Sequence, residues 1–141
     1  MEIKFKLLPG ASIPVKSHAS DACYDLTAIS VNYEETGKYI EYETGVAIQI
    51  PRGYAGFVFP RSSVTNKNLI LKNSVGVIDS GYTGTIKARF WTNIKQKPNI
   101  YSVGERICQL AIIKVEEVEW TQVEELDDSD RGTGGYGSTG H

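Results

Sequence analysis

Apolar and polar residues alternate with a period of two along much of the chain. In the segment TIKARFWTNIK, the apolar residues Ile86, Ala88 and Phe90 are separated by Lys87 and Arg89. This alternation is typical of a strand that buries one face. Similar runs, separated by glycine and proline, occur in IKFKLL, IEYETGVAIQI, YAGFVF, RICQLAIIKV and VEWTQV. Because no long helical segment lies between them, the pattern predicts an antiparallel all-β sandwich, jelly roll or barrel.

One short helix is predicted in the segment that follows Pro60. Ser62 or Ser63 is a suitable N-cap for one or two turns that run through Asn68. The length of 141 residues fits one domain. The glycine-rich end of the chain follows an acidic run and is not expected to hold a fixed conformation alone. We therefore predict a folded body over residues 1–126 and a flexible segment over residues 127–141.

The net charge of -2 at pH 7 argues against a protein that coats nucleic acid, because that task needs a clear basic excess. The charge is unevenly distributed. Residues 116–130 contain eight acidic residues and no base, so residues 1–115 carry 14 Lys and Arg against 9 Asp and Glu. This basic excess suits a small anionic ligand, although an ordinary solvated surface has the same signature.

The two cysteines, Cys23 and Cys108, have no metal-ligand spacing, and His18 and His141 complete no recognised zinc pattern with them. The first residues, MEIKFKLLPG, lack the apolar run of a signal peptide, and no stretch is long enough to cross a bilayer. We therefore expect a reduced protein with no membrane partner, located in the cytoplasm, or in a host cytoplasm if a phage encodes it.

The glycines near the end of the chain imitate two nucleotide-binding motifs. Gly132, Gly134 and Gly137 have the spacing G-x-G-x-x-G, but a dinucleotide fingerprint must follow a strand and open a helix. The same glycines have P-loop spacing, but Ser138 stands where the phosphate-binding lysine is required. The sequence therefore excludes both motifs.

Asp79 is the one carboxylate between Glu43 and Glu105. A lone aspartate at this place is often a turn former. The neighbouring Ser80-Gly81 indicates the tip of a tight hairpin, and Gly76 and Gly84 remove side chains where another group approaches the backbone. Such a hairpin is able to present its backbone N–H and C=O groups to the edge of a nucleobase.

Two further segments suit phosphate binding. Arg61, Ser62 and Ser63 directly precede the predicted helical turn, whose first N–H groups carry partial positive charge. Gln109 follows a turn glycine at the start of a predicted strand, where its amide either faces solvent or meets an anion. Each of these two segments is weak evidence alone. Arg61 is equally well explained as an ordinary surface charge, and Ser62 as a helix cap.

Together, five segments occur in the order and approximate spacing of the homotrimeric dUTPase family, which the sequence resembles from about Ala22 to its end. The segments are Ala22–Leu26, Pro60–Ser63, Gly76–Gly84, Gly104–Leu110 and Arg131–Gly140. Two positions depart from the family's usual pattern. Cys23 replaces a glycine in the first motif, and Tyr136 replaces a phenylalanine in the fifth while keeping the aromatic face.

The resemblance implies a jelly-roll protomer with at most one short helix, three copies of which form active sites at subunit boundaries. It also implies hydrolysis of dUTP to dUMP and pyrophosphate by attack of water on the α-phosphorus, which limits uracil in DNA and supplies dUMP for thymidylate synthesis. Asp79 would act as the general base, and Asp25 would hold a Mg²⁺ cofactor through its waters.

The resemblance further implies a set of substrate-binding residues. Phosphates would meet Arg61, Ser62, Ser63 and Gln109, uracil would meet Asn73 and the backbone of Gly76, Val77 and Ile78, and the deoxyribose would pack on Tyr82. The glycine-rich segment would close as a lid, with Tyr136 over the base. Its remaining contacts would come from Arg131, Gly137, Ser138 and Thr139.

Two other functions remain open at this point. A dCTP deaminase shares the implied fold, but it needs an acid/base carboxylate beside the base, and Asp79–Tyr82 has the dUTPase pattern instead. The protein is also able, in principle, to act chiefly as a module that binds a regulatory protein such as a repressor.

Overall fold

Nine strands form two antiparallel sheets in the computed structural model, which describes residues 1–34, 39–92 and 99–135. The strands are β1 Lys4–Leu7, β2 Tyr24–Thr27, β3 Ser30–Tyr33, β4 Ile40–Gln49, β5 Tyr54–Pro60, β6 Ile70–Leu71, β7 Gly76–Ile78, β8 Thr85–Trp91 and β9 Arg106–Lys114. The described residues contain one helix, the short 3₁₀ helix Ser62–Asn66. This arrangement confirms the predicted all-β jelly roll with at most one short helix.

The long strand β4 organises the first, five-stranded sheet. Its first half pairs with β3 and its second half with β1 on the same edge, while β8 pairs along the other edge and is followed by β6. The chain bends within β4 at Gly45, where φ is +67°. A Cβ at this position would lie 2.6 Å from Ile29 Cδ1, so only glycine fits.

The second sheet has four strands in the order β2-β9-β5-β7. Strands β2 and β7 therefore lie at its opposite edges, separated by β9 and β5. Neighbouring strands are about 4.8 Å apart, so the axes of β2 and β7 are about 14 Å apart. This separation decides which functional residues meet within one chain.

The core lies between the two sheets, as the alternating pattern predicts. On β8, Ile86, Ala88 and Phe90 are buried, whereas Lys87 and Arg89 point to solvent. Three aromatic rings occupy the centre of the core, where Tyr42, Phe90 and Tyr101 pack edge-to-face with centroids 5.8 to 6.4 Å apart. Burial of each large side chain contributes roughly 1.5–3 kcal/mol to the stability of the folded state.

Three local predictions are wrong. VEWTQV is not a strand, because it leaves the sheets after β9 and is exposed throughout. Ser80-Gly81 is not a hairpin tip, since β7 and β8 belong to different sheets and the turn between them crosses from one to the other. The 3₁₀ helix ends at Asn66, and its N-cap is Arg61, without a side-chain capping bond.

The segment after β9 has the character of an extended arm. Residues 115–133 are all exposed, and they include large apolar side chains such as Trp120, which is 91% exposed, and Leu126, which is 88% exposed. Within the described ranges, no helix has the length and apolarity needed to span a membrane.

Candidate active site

The sequence-predicted residues separate into two groups within one chain. The first, which we call the arginine cluster, consists of the predicted residues Asp25, Arg61, Ser63 and Gln109 together with Arg106, which the sequence did not single out. It lies where β2, β9 and the end of β5 meet, because Asp25 pairs with Gln109 and Gln109 pairs with Phe59 in the strand register. Alternation along these strands turns Asp25 and Gln109 away from the core.

Two arginines bind the carboxylate of Asp25. Arg61 donates from Nε to Oδ1 at 2.7 Å and from Nη2 to Oδ2 at 3.4 Å, and Arg106 Nη1 donates to Oδ2 at 2.9 Å. The Asp25 side chain is only 12% exposed. One acid and two arginines leave the cluster with a net positive charge, which suits an anionic ligand such as phosphate.

Most N–H donors of the Arg61 guanidinium already have acceptors within the chain. Besides its bonds to Asp25, its Nη1 donates to the Ser63 hydroxyl at 3.4 Å and to the Arg106 carbonyl at 3.2 Å. A guanidinium has five N–H donors, so about one remains for an external acceptor. Gln109 is similar, since its Nε2 donates to the Pro60 carbonyl at 2.9 Å and retains a second N–H.

The two hydroxyls beside Arg61 have different surroundings. Ser62 is exposed at the start of the 3₁₀ helix, whereas Ser63 is half-buried and lies 3.0 Å from the Tyr101 hydroxyl. Cys108, which pairs with Leu26 in the register, is fully buried, and this burial raises the pKa of its thiol to about 12. The thiol therefore stays protonated and is not a nucleophile at neutral pH.

The second group surrounds a cavity of about 490 Å³ beside β7, which we call the β7 cavity. It brings together the predicted residues Asn73, Val77, Ile78, Asp79 and Tyr82. Its other wall comes from the first sheet and includes Glu41, Lys72, Thr85, Lys87 and Arg89. The cavity therefore has both polar backbone and paired charges at its surface.

Strand β7 provides an unpaired backbone edge for this cavity. Among the described residues it pairs only with β5, through Gly56, Phe57 and Val58, because it is the last strand of its sheet. An unpaired strand edge presents N–H and C=O groups to any flat polar ligand placed beside it. Although the predicted hairpin is absent, the backbone surface expected from it is present.

The turn after β7 places Asp79 and Tyr82 at the cavity. Tyr82 N–H donates to the Asp79 carbonyl at 3.0 Å, and the Asp79 carboxylate is exposed with no hydrogen-bond partner among the described groups. The Tyr82 hydroxyl donates to the Thr85 carbonyl at 3.0 Å. The ring lies over Gly84, where a Cβ would come within 2.5 Å of the hydroxyl oxygen, so the group that approaches this glycine is Tyr82 itself.

The charged wall of the cavity was not predicted from the sequence. Glu41 accepts from Arg89 Nε at 2.7 Å and from Lys87 Nζ at 3.3 Å. Burial acts to raise the pKa of Glu41, but the bonds from Arg89 and Lys87 outweigh it, so the pKa lies below its ordinary value. The signal in the sequence was the alternation on β4 and β8, which faces these charges toward one another across the paired strands.

The two groups do not meet in one chain. Asp25 and Arg61 are absent from the lining of the β7 cavity. Asp25 lies on β2, at the opposite edge of the sheet from β7, and Arg61 follows the end of β5 that is remote from Asp79. Arg131 contacts neither group, because its Nε donates to the nearby Gly134 carbonyl within an exposed turn. Tyr136, Gly137, Ser138 and Thr139 lie outside the described residues.

A Mg²⁺ ion carried by a triphosphate fits the arginine cluster, whereas a resident metal site does not. In the parts of the chain that the structure describes, no three His, Cys, Asp or Glu residues are grouped to hold a metal. A carboxylate has about four acceptor positions, and three N–H donors engage Asp25. One position remains for a metal-bound water, which suffices when phosphates supply the other ligands.

Relatives of known activity share this sequence over most of its length. The dUTPase family model matches residues 10–140. The deoxyuridine 5'-triphosphate nucleotidohydrolase of Leifsonia xyli subsp. xyli is 39% identical over 130 residues, which cover 92% of this chain and 86% of that protein. The protein of the same name from Corynebacterium glutamicum is 42% identical over 129 residues, which cover 91% of this chain and 87% of that protein.

Solved structures show the same fold. The dUTPase of Staphylococcus bacteriophage 80alpha with dUPNHPP matches this chain with a TM-score of 0.82 and 30% sequence identity, and the match covers 99% of both chains. That structure is described under the heading that phage dUTPases control transfer of virulence genes by a proto-oncogenic G protein-like mechanism. A mutant dUTPase of phage phi11 of S. aureus, described with a structural Mg(II) ion, matches with a TM-score of 0.73 and 27% sequence identity. The match covers 89% of this chain and 98% of that one. The chain therefore belongs to the dUTPase family.

Proposed function

We propose that the protein hydrolyses dUTP to dUMP and pyrophosphate. The observation that carries the proposal is the β7 cavity, where an exposed carboxylate, an unpaired strand edge and an aromatic ring converge in a chain of the dUTPase family. The product dUMP then feeds thymidylate synthesis, and removal of dUTP limits uracil in DNA. The family match does not favour the dCTP deaminase alternative.

The β7 cavity selects the nucleoside in this proposal. The free edge of Gly76–Ile78 and the Asn73 amide bond the uracil edge, because their donors and acceptors have no partner strand to satisfy them. Cytosine leaves such groups unpaired at a cost of about 1–3 kcal/mol each. Tyr82, fixed by its bond to Thr85, packs under the deoxyribose and leaves no room for a 2′-hydroxyl.

Asp79 is the general base of the proposed reaction. Its carboxylate is free of intramolecular partners in the described parts of the chain, so it is available to accept a proton from the attacking water. Arg61, Ser62, Ser63 and Gln109 bind the phosphates through the donors that remain on them. Asp25 would hold a Mg²⁺ ion through water, and the bound ion would supply neutralisation of charge on the triphosphate.

A second copy of the chain is needed to complete the site, and we propose a homotrimer. Asp79 follows Ile78, which pairs with Gly56 near the start of β5, whereas Arg61 follows the other end of β5, five residues beyond Gly56. The two residues are therefore about 17 Å apart along the strand, so one chain does not bring both to one phosphate. The exposed apolar residues of the arm, including Val118, Trp120 and Leu126, suit burial against a neighbouring copy. The charged groups then meet at a subunit boundary.

The glycine-rich segment 127–141 acts as a lid over the body formed by residues 1–126. Its eleven final residues cost about 1–2 kcal/mol each to order, so the segment is ordered only when ligand contacts offset this cost. Arg131 binds phosphate and Tyr136 stacks on uracil, while Gly137, Ser138 and Thr139 close over the triphosphate. Deletion of residues 131–141 should leave the melting temperature nearly unchanged and sharply lower turnover. Unchanged turnover would contradict the lid.

The deciding experiment is release of pyrophosphate from a panel of dUTP, dTTP, dCTP and UTP with Mg²⁺. We expect dUTP to be hydrolysed faster than the others by orders of magnitude in kcat/KM. Comparable hydrolysis of dTTP or UTP would contradict the assignment of the β7 cavity as the reading surface. Release of ammonia from dCTP would favour the deaminase.

A regulatory role is a second candidate, favoured by the 80alpha phage dUTPase and its described G protein-like mechanism. In this role the protein binds a regulatory protein such as a repressor in a nucleotide-dependent manner. Titration of the protein with a candidate repressor, with and without dUPNHPP, would test it. Binding that does not depend on the nucleotide would contradict a switch controlled by the active site.

A further inference from the structure

A pair of hydroxyl groups connects the arginine cluster to the aromatic core. Tyr101 is 2% exposed, and its hydroxyl lies 3.0 Å from the Ser63 hydroxyl. Ser63 in turn accepts a hydrogen bond from Arg61 Nη1 at 3.4 Å. The chain of contacts therefore runs from a buried ring to the guanidinium that binds Asp25.

The Tyr101 ring is held from several directions. Its backbone carbonyl accepts from the Tyr42 hydroxyl at 2.7 Å, and its ring packs edge-to-face on Tyr42 and Phe90. The Lys67 ammonium lies 4.9 Å from the ring centroid. A ring confined in this way cannot change rotamer without disturbing the core, so its hydroxyl occupies a fixed point beside Ser63.

We infer that Tyr101 is a positioning residue for phosphate binding, an inference that rests on the proposed function. A serine oxygen accepts two hydrogen bonds and donates one. Either hydroxyl is able to donate in the contact between Ser63 and Tyr101, and we assign Tyr101 as the donor, which leaves the Ser63 proton available for a phosphate oxygen. Tyr101 thus orients both the Ser63 hydroxyl and the Nη1 side of Arg61 without touching the substrate.

Loss of the Tyr101 hydroxyl leaves Ser63 free to rotate. The Ser63 proton is then no longer oriented toward the ligand, and Arg61 Nη1 loses an acceptor in a fixed position. A hydrogen bond of this kind is worth about 0.5–1.5 kcal/mol, which corresponds to a loss of roughly 3- to 10-fold in phosphate affinity. The base and sugar, which bind beside β7, are unaffected.

The test compares Tyr101→Phe, Ser63→Ala and the double variant with the parent protein. The matched control is Thr44→Val, which removes another buried hydroxyl but touches neither Ser63 nor Tyr101, since that hydroxyl donates to the Ile86 carbonyl. Each protein is titrated with inorganic triphosphate and with dUPNHPP, and deoxyuridine, which has no phosphate, is assayed as a competitive inhibitor. KM and kcat for dUTP and melting temperatures complete the set.

We expect Tyr101→Phe and Ser63→Ala each to weaken triphosphate and dUPNHPP binding by about 3- to 10-fold, with deoxyuridine inhibition unchanged. The double variant should be no weaker than Ser63→Ala, because both changes break one relay. Thr44→Val should lower the melting temperature without changing triphosphate binding.

Unchanged triphosphate binding in Tyr101→Phe, equal losses for triphosphate and deoxyuridine, or additive losses in the double variant would each overturn the inference. Binding of inorganic triphosphate tests the contacts from Tyr101 through Ser63 to Arg61 independently of the base and the sugar. Failure of the parent protein to release pyrophosphate from dUTP would instead contradict the proposed function, so the two failures are distinguishable.

Discussion

The arginine cluster and the β7 cavity differ in how far their groups are already satisfied. In the cluster, Asp25 accepts from two arginines, and Arg61 retains about one free N–H. At the cavity, the Asp79 carboxylate has no partner among the described residues, and β7 has an unpaired edge. The cluster is therefore rigid before a ligand arrives, whereas the cavity offers unsatisfied groups.

This difference suits the tasks that we propose for the two regions. Phosphate binding benefits from charges held in place, because preorganised dipoles do not have to be reoriented when the ligand binds. Proton abstraction and base recognition need groups without internal partners, since a satisfied donor or acceptor has nothing to offer the ligand. Each prediction below alters one region and asks whether the other responds.

The largest effect is expected for Asp79→Asn at the β7 cavity. The amide keeps the shape of the carboxylate but cannot accept the proton, so kcat should fall by about 10²- to 10⁴-fold. Binding of dUPNHPP and the melting temperature should change little. The control is Glu2→Gln at an exposed acid near the start of the chain, which should leave kcat unchanged. Turnover of Asp79→Asn within about threefold of the parent would indicate a structural turn residue.

Mixing variants of the two regions tests whether they belong to different copies. Arg61→Gln and Asp79→Asn should each be nearly inactive alone. If one site takes Asp79 from one copy and Arg61 from another, co-assembly at equal ratio should restore about a quarter of the parent turnover. Pyrophosphate release is measured after joint refolding, with separately folded and then mixed proteins as the control. Absence of recovery would place both residues in one chain's site.

Variants of Tyr82 test selection of the sugar independently of phosphate binding. Tyr82→Ala removes the ring that excludes the 2′-hydroxyl, so the kcat/KM ratio of UTP to dUTP should rise about 10-fold. Tyr82→Phe keeps the ring and loses only the bond to the Thr85 carbonyl, so the ratio should stay close to the parent value. Kinetics on both nucleotides provide the measurement. An equal ratio in all three proteins would exclude Tyr82 from sugar selection.

The smallest effect concerns stability at the charged wall of the cavity. Glu41 has a lowered pKa in the folded state, so its contribution to stability is present above its unfolded pKa and is lost as pH falls through the folded value. Glu41→Gln should lower the free energy of unfolding at pH 7 by about 1 kcal/mol. The difference from the parent should disappear at acidic pH, below the lowered pKa. Urea unfolding across this range is the measurement, and a pH-independent difference would contradict the ionic cause.

Much of the fold was readable from the sequence because most strands carry recognisable apolar runs, and β8 alternates strictly between buried and exposed residues. The strands β1, β4, β5, β8 and β9 coincide with predicted apolar runs. The strands β2, β3 and β6 are two to four residues long and carry too little pattern to detect. VEWTQV has the pattern without the strand, because its apolar residues extend away from the sheets.

Candidate site residues could also be proposed from the sequence, Arg61, Asp79 and Gln109 from local chemistry and Asp25 from the family resemblance alone. Their grouping could not be predicted in this way. Only the sheet order places Asp25 near one edge and Asp79 near the other, because β9 and β5 lie between them although they are distant in sequence. The contact of Tyr101 with Ser63 joins residues 38 positions apart, and no spacing along the chain reports it. The sequence by itself determined the types of chemistry, and long-range strand pairing decided which of them meet.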